Sequence, residues 1–338
     1  MLRTLLATCV CALALVETAH AGEVVNIYSY RQPELVQPLF DAFTKQTGIE
    51  VRMIYAEKGL IERLQQEGPL SPADILLTSD VGRLVEAAND GLAQPVDDAT
   101  ILGNIPANLR DKGNQWFGLT MRARVVYASR DRVAQNAISY EELADPKWKG
   151  KICTRPGDHP YNLGLIAAMI DRRGAAETKT WLAGVKANLA NKPSGTDRSQ
   201  AKSVFAGECD LALGNTYYVG LMATDEKEPE QKEWAKSIKV LFPSSSTMGT
   251  NVNISGMVLT KSAPDKANAL KLMEYLSSAE AQKIYAAGNF EYPVNPSVQA
   301  ADIVKSWGKM IPDSIDLTAI AKNQAAAVRL VDEVGFNN

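Results

Sequence analysis

The sequence predicts an α/β protein of two lobes, and three observations carry that reading. Strand-like and helix-like segments alternate three times at the start, the pattern of a doubly wound sheet. Two long extended segments, at residues 117–129 and 247–260, stand where a chain could cross from one lobe to the other and back. Length agrees: removing an expected leader of 21 residues from 338 leaves 317, more than one core usually supports.

Residues 24–30 alternate and are rich in β-formers, so they predict a strand. Pro33 then opens a helix through Leu35, Leu39 and Phe43 at helical spacing, and Gly48 stops it. A second strand follows at 49–55 and a helix at 60–66, ended by Gly68. Residues 73–78 hold a continuous apolar run at 75–77, as in a parallel sheet, and lead to a helix at 83–89 closed by Gly91. The order then changes. The extended segment 117–129 carries Arg122 and Arg124, two residues apart and so on one strand face. A short strand is expected at 151–154, helices at 163–172 and 179–189, and strands at 209–213 and 240–243. After the second extended segment come helices at 266–276, 279–287 and 317–334. No repeat or low-complexity linker appears, which fits a hinge made of strands. One lobe is expected to hold residues 22–120 with about 253–300, and the other 121–252 with about 301–338.

The first residues read as a secretory signal. Arg3 supplies a positive start, the apolar run 5–16 is too short to span a bilayer, and Ala19-His20-Ala21 is a small-x-small cleavage site. Cleavage after Ala21 is expected; the rival is a lipoprotein signal lipidated at Cys9 or Cys11. Cys153 and Cys209 remain, and in an exported, oxidising compartment an even pair reads as one disulfide. Two buried free thiols are the alternative. The net charge of −3 speaks against a nucleic-acid binder. No other apolar run is long enough for a membrane helix, so a soluble periplasmic protein is expected.

The chain has two histidines, and His20 leaves with the signal. Against that scarcity, Tyr217 and Tyr218 stand side by side between Gly214 and Gly220, and Tyr161 lies upstream. Phenols clustered where imidazole is scarce suit a hard, highly charged cation, ferric iron above all. Adjacent tyrosines on a strand point to opposite faces. To share one ion they must sit on a turn or a helix start, and the two glycines permit such a bend. The plainer readings are a tyrosine pair that stacks on a sugar or amine, and arginines at 122 and 124 that form ordinary salt bridges. There is no Gly-x-Ser-x-Gly elbow, phosphate loop or His-Glu-x-x-His, and His159 alone would have to serve any Ser–His triad. That argues against an enzyme.

Several motifs occur in order: Tyr28-Ser29-Tyr30-Arg31-Gln32-Pro33, Ser71-Pro72-Ala73-Asp74, Asp145-Pro146-Lys147-Trp148-Lys149-Gly150-Lys151, the tyrosine pair, Asn253-Ile254-Ser255-Gly256 and Tyr292-Pro293-Val294. Together they resemble the ferric-iron-binding proteins of bacterial ABC importers, the transferrin-like periplasmic binding proteins, over essentially the whole mature chain. The resemblance implies a two-lobed type II periplasmic-binding fold with two hinge strands. It implies Tyr161, Tyr217 and Tyr218 as metal ligands. A subgroup of the family adds a histidine where this chain has Gln32, and another adds a tyrosine where it has Pro33. The chain therefore resembles the three-tyrosine subgroup that binds iron with carbonate or bicarbonate as a synergistic anion. Arg31, Gln32 and Arg122 match the anion-holding positions, with Arg124 the alternative to Arg122. The implied partner is an inner-membrane ABC permease, and the chain is expected to act as a monomer. A receptor for thiamine, a polyamine or a phosphonate is the rival.

Overall fold

The computed structural model describes residues 23–338; the expected signal and its cleavage site lie outside the described residues. In chain order the elements are β1 (Val24–Ser29), α1 (Pro33–Thr47), β2 (Glu50–Tyr55), α2 (Leu60–Glu67), β3 (Ile75–Thr78), α3 (Val81–Asn89) and α4 (Ala99–Asn104). The crossing strand β4 (Phe117–Ser129) follows, then β5 (Ile152–Cys153), α5 (Pro160–Ala187), α6 (Asp197–Phe205), β6 (Leu211–Asn215), α7 (Thr216–Ala223), α8 (Glu230–Ser237) and β7 (Ile238–Leu241). The chain returns through β8 (Val252–Leu259) and ends with α9 (Lys266–Ser277), α10 (Ala279–Asn289), β9 (Tyr292–Pro293), α11 (Asp302–Lys305) and α12 (Leu317–Val334).

The helix signals act as their chemistry dictates. Pro33 fits the first turn of α1, where its missing N–H would have no partner anyway, and Gly48 ends the helix at φ 77°. Val36, Leu39, Phe40 and Phe43 bury one face, each contributing roughly 1.5–3 kcal/mol. The two helices expected at 163–172 and 179–189 are one run, α5, broken at Gly174 (φ 78°). The charged stretch 225–232 runs into α8, which buries Gln231 and Ala235.

The strands follow one path, β2-β1-β3-β8-β4-β6-β5, with β7 and β9 also on β4. β1 is parallel to β2 and β3, as the βαβ alternation requires. β4 pairs with β8 from Phe117 to Ala123, then with β6 from Arg124 to Ala128. β8 in turn pairs with β3 from Gly256 to Leu259. The two long segments are thus the strands that join two α/β lobes, and they are paired to each other at the crossing, Ala123 opposite Val252. Cys153 and Cys209 form the disulfide. α12 packs on α5 and also on α3. Among the described residues no helix is long and apolar enough to cross a membrane.

Candidate metal centre

The three tyrosines come together at two helix starts. Tyr161 is the second residue of α5, and Tyr217 and Tyr218 are the second and third of α7. The Tyr161 and Tyr217 hydroxyls are 3.0 Å apart, and the Tyr217 and Tyr218 ring centroids 4.3 Å apart. The tyrosine pair therefore does sit at a helix start. The glycines beside it work differently from the expectation. Neither Gly214 nor Gly220 has a positive φ. A Cβ on Gly214 would stand 2.1 Å from the Tyr127 ring, and one on Gly220 2.3 Å from Phe290. They are close-approach positions, not bends.

The first-turn placement puts all three phenols near the positive end of a helix dipole, which favours phenolate. Burial opposes it. Burial raises the Tyr217 pKa well above that of an ordinary phenol, the hydroxyls of Tyr161 and Tyr218 add to the rise, and Arg122 offsets part of it. Burial also raises Tyr218, with Tyr161 and Asp197 adding to it. Without metal, Tyr217 and Tyr218 are therefore protonated at neutral pH. His159 caps α5, its Nδ1 accepting the Tyr161 amide at 3.1 Å. Burial, with Arg155 and Arg124 beside it, pulls its pKa down to about 3, so the ring stays neutral.

Arg124 explains why the two helix starts lie where they do. Its Nη1 donates to Asp197 Oδ2 at 2.8 Å and Asn215 Oδ1 at 3.2 Å, and its Nη2 to Asn162 Oδ1 at 2.7 Å. Asn162 follows Tyr161, and Asn215 precedes α7. One buried guanidinium thus ties both tyrosine-bearing turns to β4. Arg155 donates to the other Asp197 oxygen at 3.1 Å and stands 5.0 Å from the Tyr161 ring centroid.

Arg122, on the neighbouring stretch of β4, donates to Ser255 Oγ and the Ser79 carbonyl. Arg31 is buried and pairs with Glu291 at 2.8 Å; Thr120 Oγ1 donates to the same carboxylate oxygen at 3.0 Å. Burial works against the Arg31 charge, yet Glu291 and then the Tyr285, Tyr217 and Tyr161 hydroxyls hold its pKa above the ordinary value. Gln32 is exposed. It lines a cleft of 390 Å³ together with Tyr30, Ser79, Arg83, Tyr161, Tyr218 and Asn253. The cleft continues into a larger hollow of 770 Å³ between α3 and α12 that no tyrosine lines. Tyr30 holds the start of α2, accepting the Leu60 and Ile61 amides.

Sequence reading missed Arg155, Asp197 and Glu291. None sits in a motif; Glu291 is 260 residues from the arginine it serves. Among the described residues no three His, Cys, Asp or Glu side chains group as a metal site, which leaves the phenols as the convergent oxygen donors.

Residues 38–312 match the family of bacterial extracellular solute-binding proteins. Iron uptake protein A1 of Synechocystis sp. is 39% identical over 322 residues, 95% of this chain and 89% of that protein. The structure of ferric iron-binding protein A from Mannheimia haemolytica, in an open conformation, gives a TM-score of 0.88 at 51% identity, covering 94% of this chain and 99% of that one. A Trichodesmium protein in complex with iron and citrate gives 0.87 at 42% identity, over 93% and 99%.

Proposed function

The chain belongs to the bacterial extracellular solute-binding proteins, and from that premise we propose that it captures ferric iron in the periplasm and hands it to an inner-membrane ABC permease. The observation that carries this reading is the convergence of three phenols at two helix starts, two of them 3.0 Å apart. Ferric iron is the cargo. Tyr161, Tyr217 and Tyr218 would bind it as phenolates, whose three negative charges offset the ion's three positive ones. Each phenol must lose its proton to the arriving cation, so uptake releases protons. An octahedral ion would keep places for a small chelating anion. Carbonate or bicarbonate, held by Arg31, Gln32 and Arg122, is the anion this reading favours, because the planar guanidinium fork matches a planar oxyanion.

The lobes on this reading are 22–120 with 253–300 and 121–252 with 301–338; the change of partners along β4 at Ala123 and Arg124 supports the division. The protein acts as a monomeric carrier with no catalytic step. A second reading of the cargo, iron with a hydroxycarboxylate such as citrate, is favoured by one observation. The 390 Å³ cleft is larger than a bare ion and carbonate require.

Ferric salt added with bicarbonate at neutral pH is expected to give a visible phenolate-to-iron charge-transfer band. Absence of the band together with absence of iron retention on desalting would overturn the function. A band that forms with citrate and not with bicarbonate would replace the anion and keep the iron.

A further inference from the structure

A set of buried charges stands behind the cleft, around the tyrosines. Four arginines surround the tyrosines: Arg31, Arg122, Arg124 and Arg155, none more than 8% exposed. Two carboxylates face them, Glu291 at 1% and Asp197 at 0%. Glu291 pairs with Arg31, and Asp197 is shared by Arg124 and Arg155. The remaining buried carboxylates of the described residues lie elsewhere: Asp74 accepts backbone amides at the start of β3, and Asp313 pairs with Arg172. On the cleft walls Glu57 is exposed, while Asp80 and Arg83 are partly solvated and face each other. Solvated charges of this kind are largely screened.

Four guanidinium groups against two carboxylates leave two uncompensated positive charges in a low-dielectric site. Burying charge without a counter-charge is costly. Three hydrogen-bonding sites point to a missing partner: Arg31 Nε, Arg124 Nε and Arg155 Nε, all buried, have no acceptor, against one carboxylate oxygen, Glu291 Oε1, without a donor. The count is the same with or without iron. Protonated phenols carry no charge, and three phenolates would cancel the ferric ion.

We propose that Glu291 and Asp197 are charge-setting residues: each cancels one buried guanidinium, and the two positive charges left over select a doubly charged oxyanion over a singly charged one. The carboxylates touch no anion. They act through the arginines they neutralise, and Glu291 also orients Arg31, because Thr120 on the crossing strand β4 fixes the oxygen that accepts from it. The inference extends the iron reading, but it concerns the anion and is tested on iron-free protein.

Sulfate and perchlorate have the same tetrahedral shape and differ by one charge. Titration calorimetry of the iron-free protein at constant ionic strength and pH 7 is expected to show sulfate binding at least tenfold tighter than perchlorate. Glu291→Gln keeps an acceptor for Arg31 while removing the charge, so the site gains one positive charge. The sulfate-to-perchlorate ratio should then rise by about tenfold, and Asp197→Asn should do the same. Thr120→Val loosens the oxygen that orients Arg31 and removes no charge, so it should weaken sulfate and perchlorate alike and leave their ratio unchanged. Four results overturn the proposal: no sulfate binding by the parent protein, equal affinity for the two anions, a ratio unmoved in whichever carboxylate variants fold, or a Thr120→Val ratio that moves as far as that of Glu291→Gln. Each is separable from failure of the iron reading, which the charge-transfer band of the parent protein reports.

Discussion

The two sides of the cleft are built on different principles. The side formed by α5 and α7 offers phenol oxygens: three tyrosines, set on helix starts and tied to β4 by Arg124. The side that follows β1 offers fixed charge: Arg31, locked by Glu291, with Gln32 exposed beside it. One side adapts its charge by giving up protons, and the other cannot. On the proposed reading, the oxygens that take the cation and the guanidinium groups that take the counter-anion are different side chains, so each can be damaged without the other.

The largest effect is expected from the adaptable side. Tyr217→Phe or Tyr218→Phe removes an oxygen donor and should lower iron affinity by about a thousandfold or more, read by competition with a chelator of known strength. Unchanged affinity in both variants would dissolve the contrast between the two sides. Acidity comes next. The Tyr217 and Tyr218 pKa values are raised, chiefly by burial, so both phenols are protonated at neutral pH and must release protons as iron enters. Affinity should therefore rise with pH and fall in acid, by roughly tenfold or more per unit. Competition at pH 6, 7 and 8 checks the sign, and a flat profile would mean that no phenol gives up its proton.

The fixed side predicts a smaller change. Arg31→Ala would strand the buried Glu291 charge and destabilise the fold as well as the site. Arg31→Lys keeps the charge and loses the planar fork. It should weaken anion affinity about tenfold while the iron band persists with excess anion, measured by titrating bicarbonate against the band. The mildest expected effect is on stability. Gly214→Ala pushes a methyl into the Tyr127 ring and should cost about 1–3 kcal/mol, seen as a melting point several degrees lower.

What could be read in advance follows the range of the interactions involved. α12 at Leu317–Val334 and β4 at Phe117–Ser129 have the bounds that periodicity predicts, because an amphipathic helix and a long β-rich run are local signals. α4 and α6 went unread. Both start on side-chain caps, Asp98 and Thr196, rather than on a strong apolar period. At the site, the phenols could be picked out by type and spacing. Their supports could not: Asp197 lies 73 residues from Arg124, and Glu291 lies 171 from Thr120. The glycines show the limit most clearly. Their presence was visible, but their purpose depends on Tyr127 and Phe290, which only the fold brings to them.

The pairing of β4 with β8 at the crossing has a mechanical consequence. A hydrogen-bonded two-strand ribbon resists shear and yields to torsion, whereas a pair of free loops would wobble in every direction. On the two-lobed reading, twisting about this ribbon is the soft motion between the lobes. Each closure along it would return the phenols and Arg31 to the same registry, so the geometry of the gripped ion need not be searched for anew.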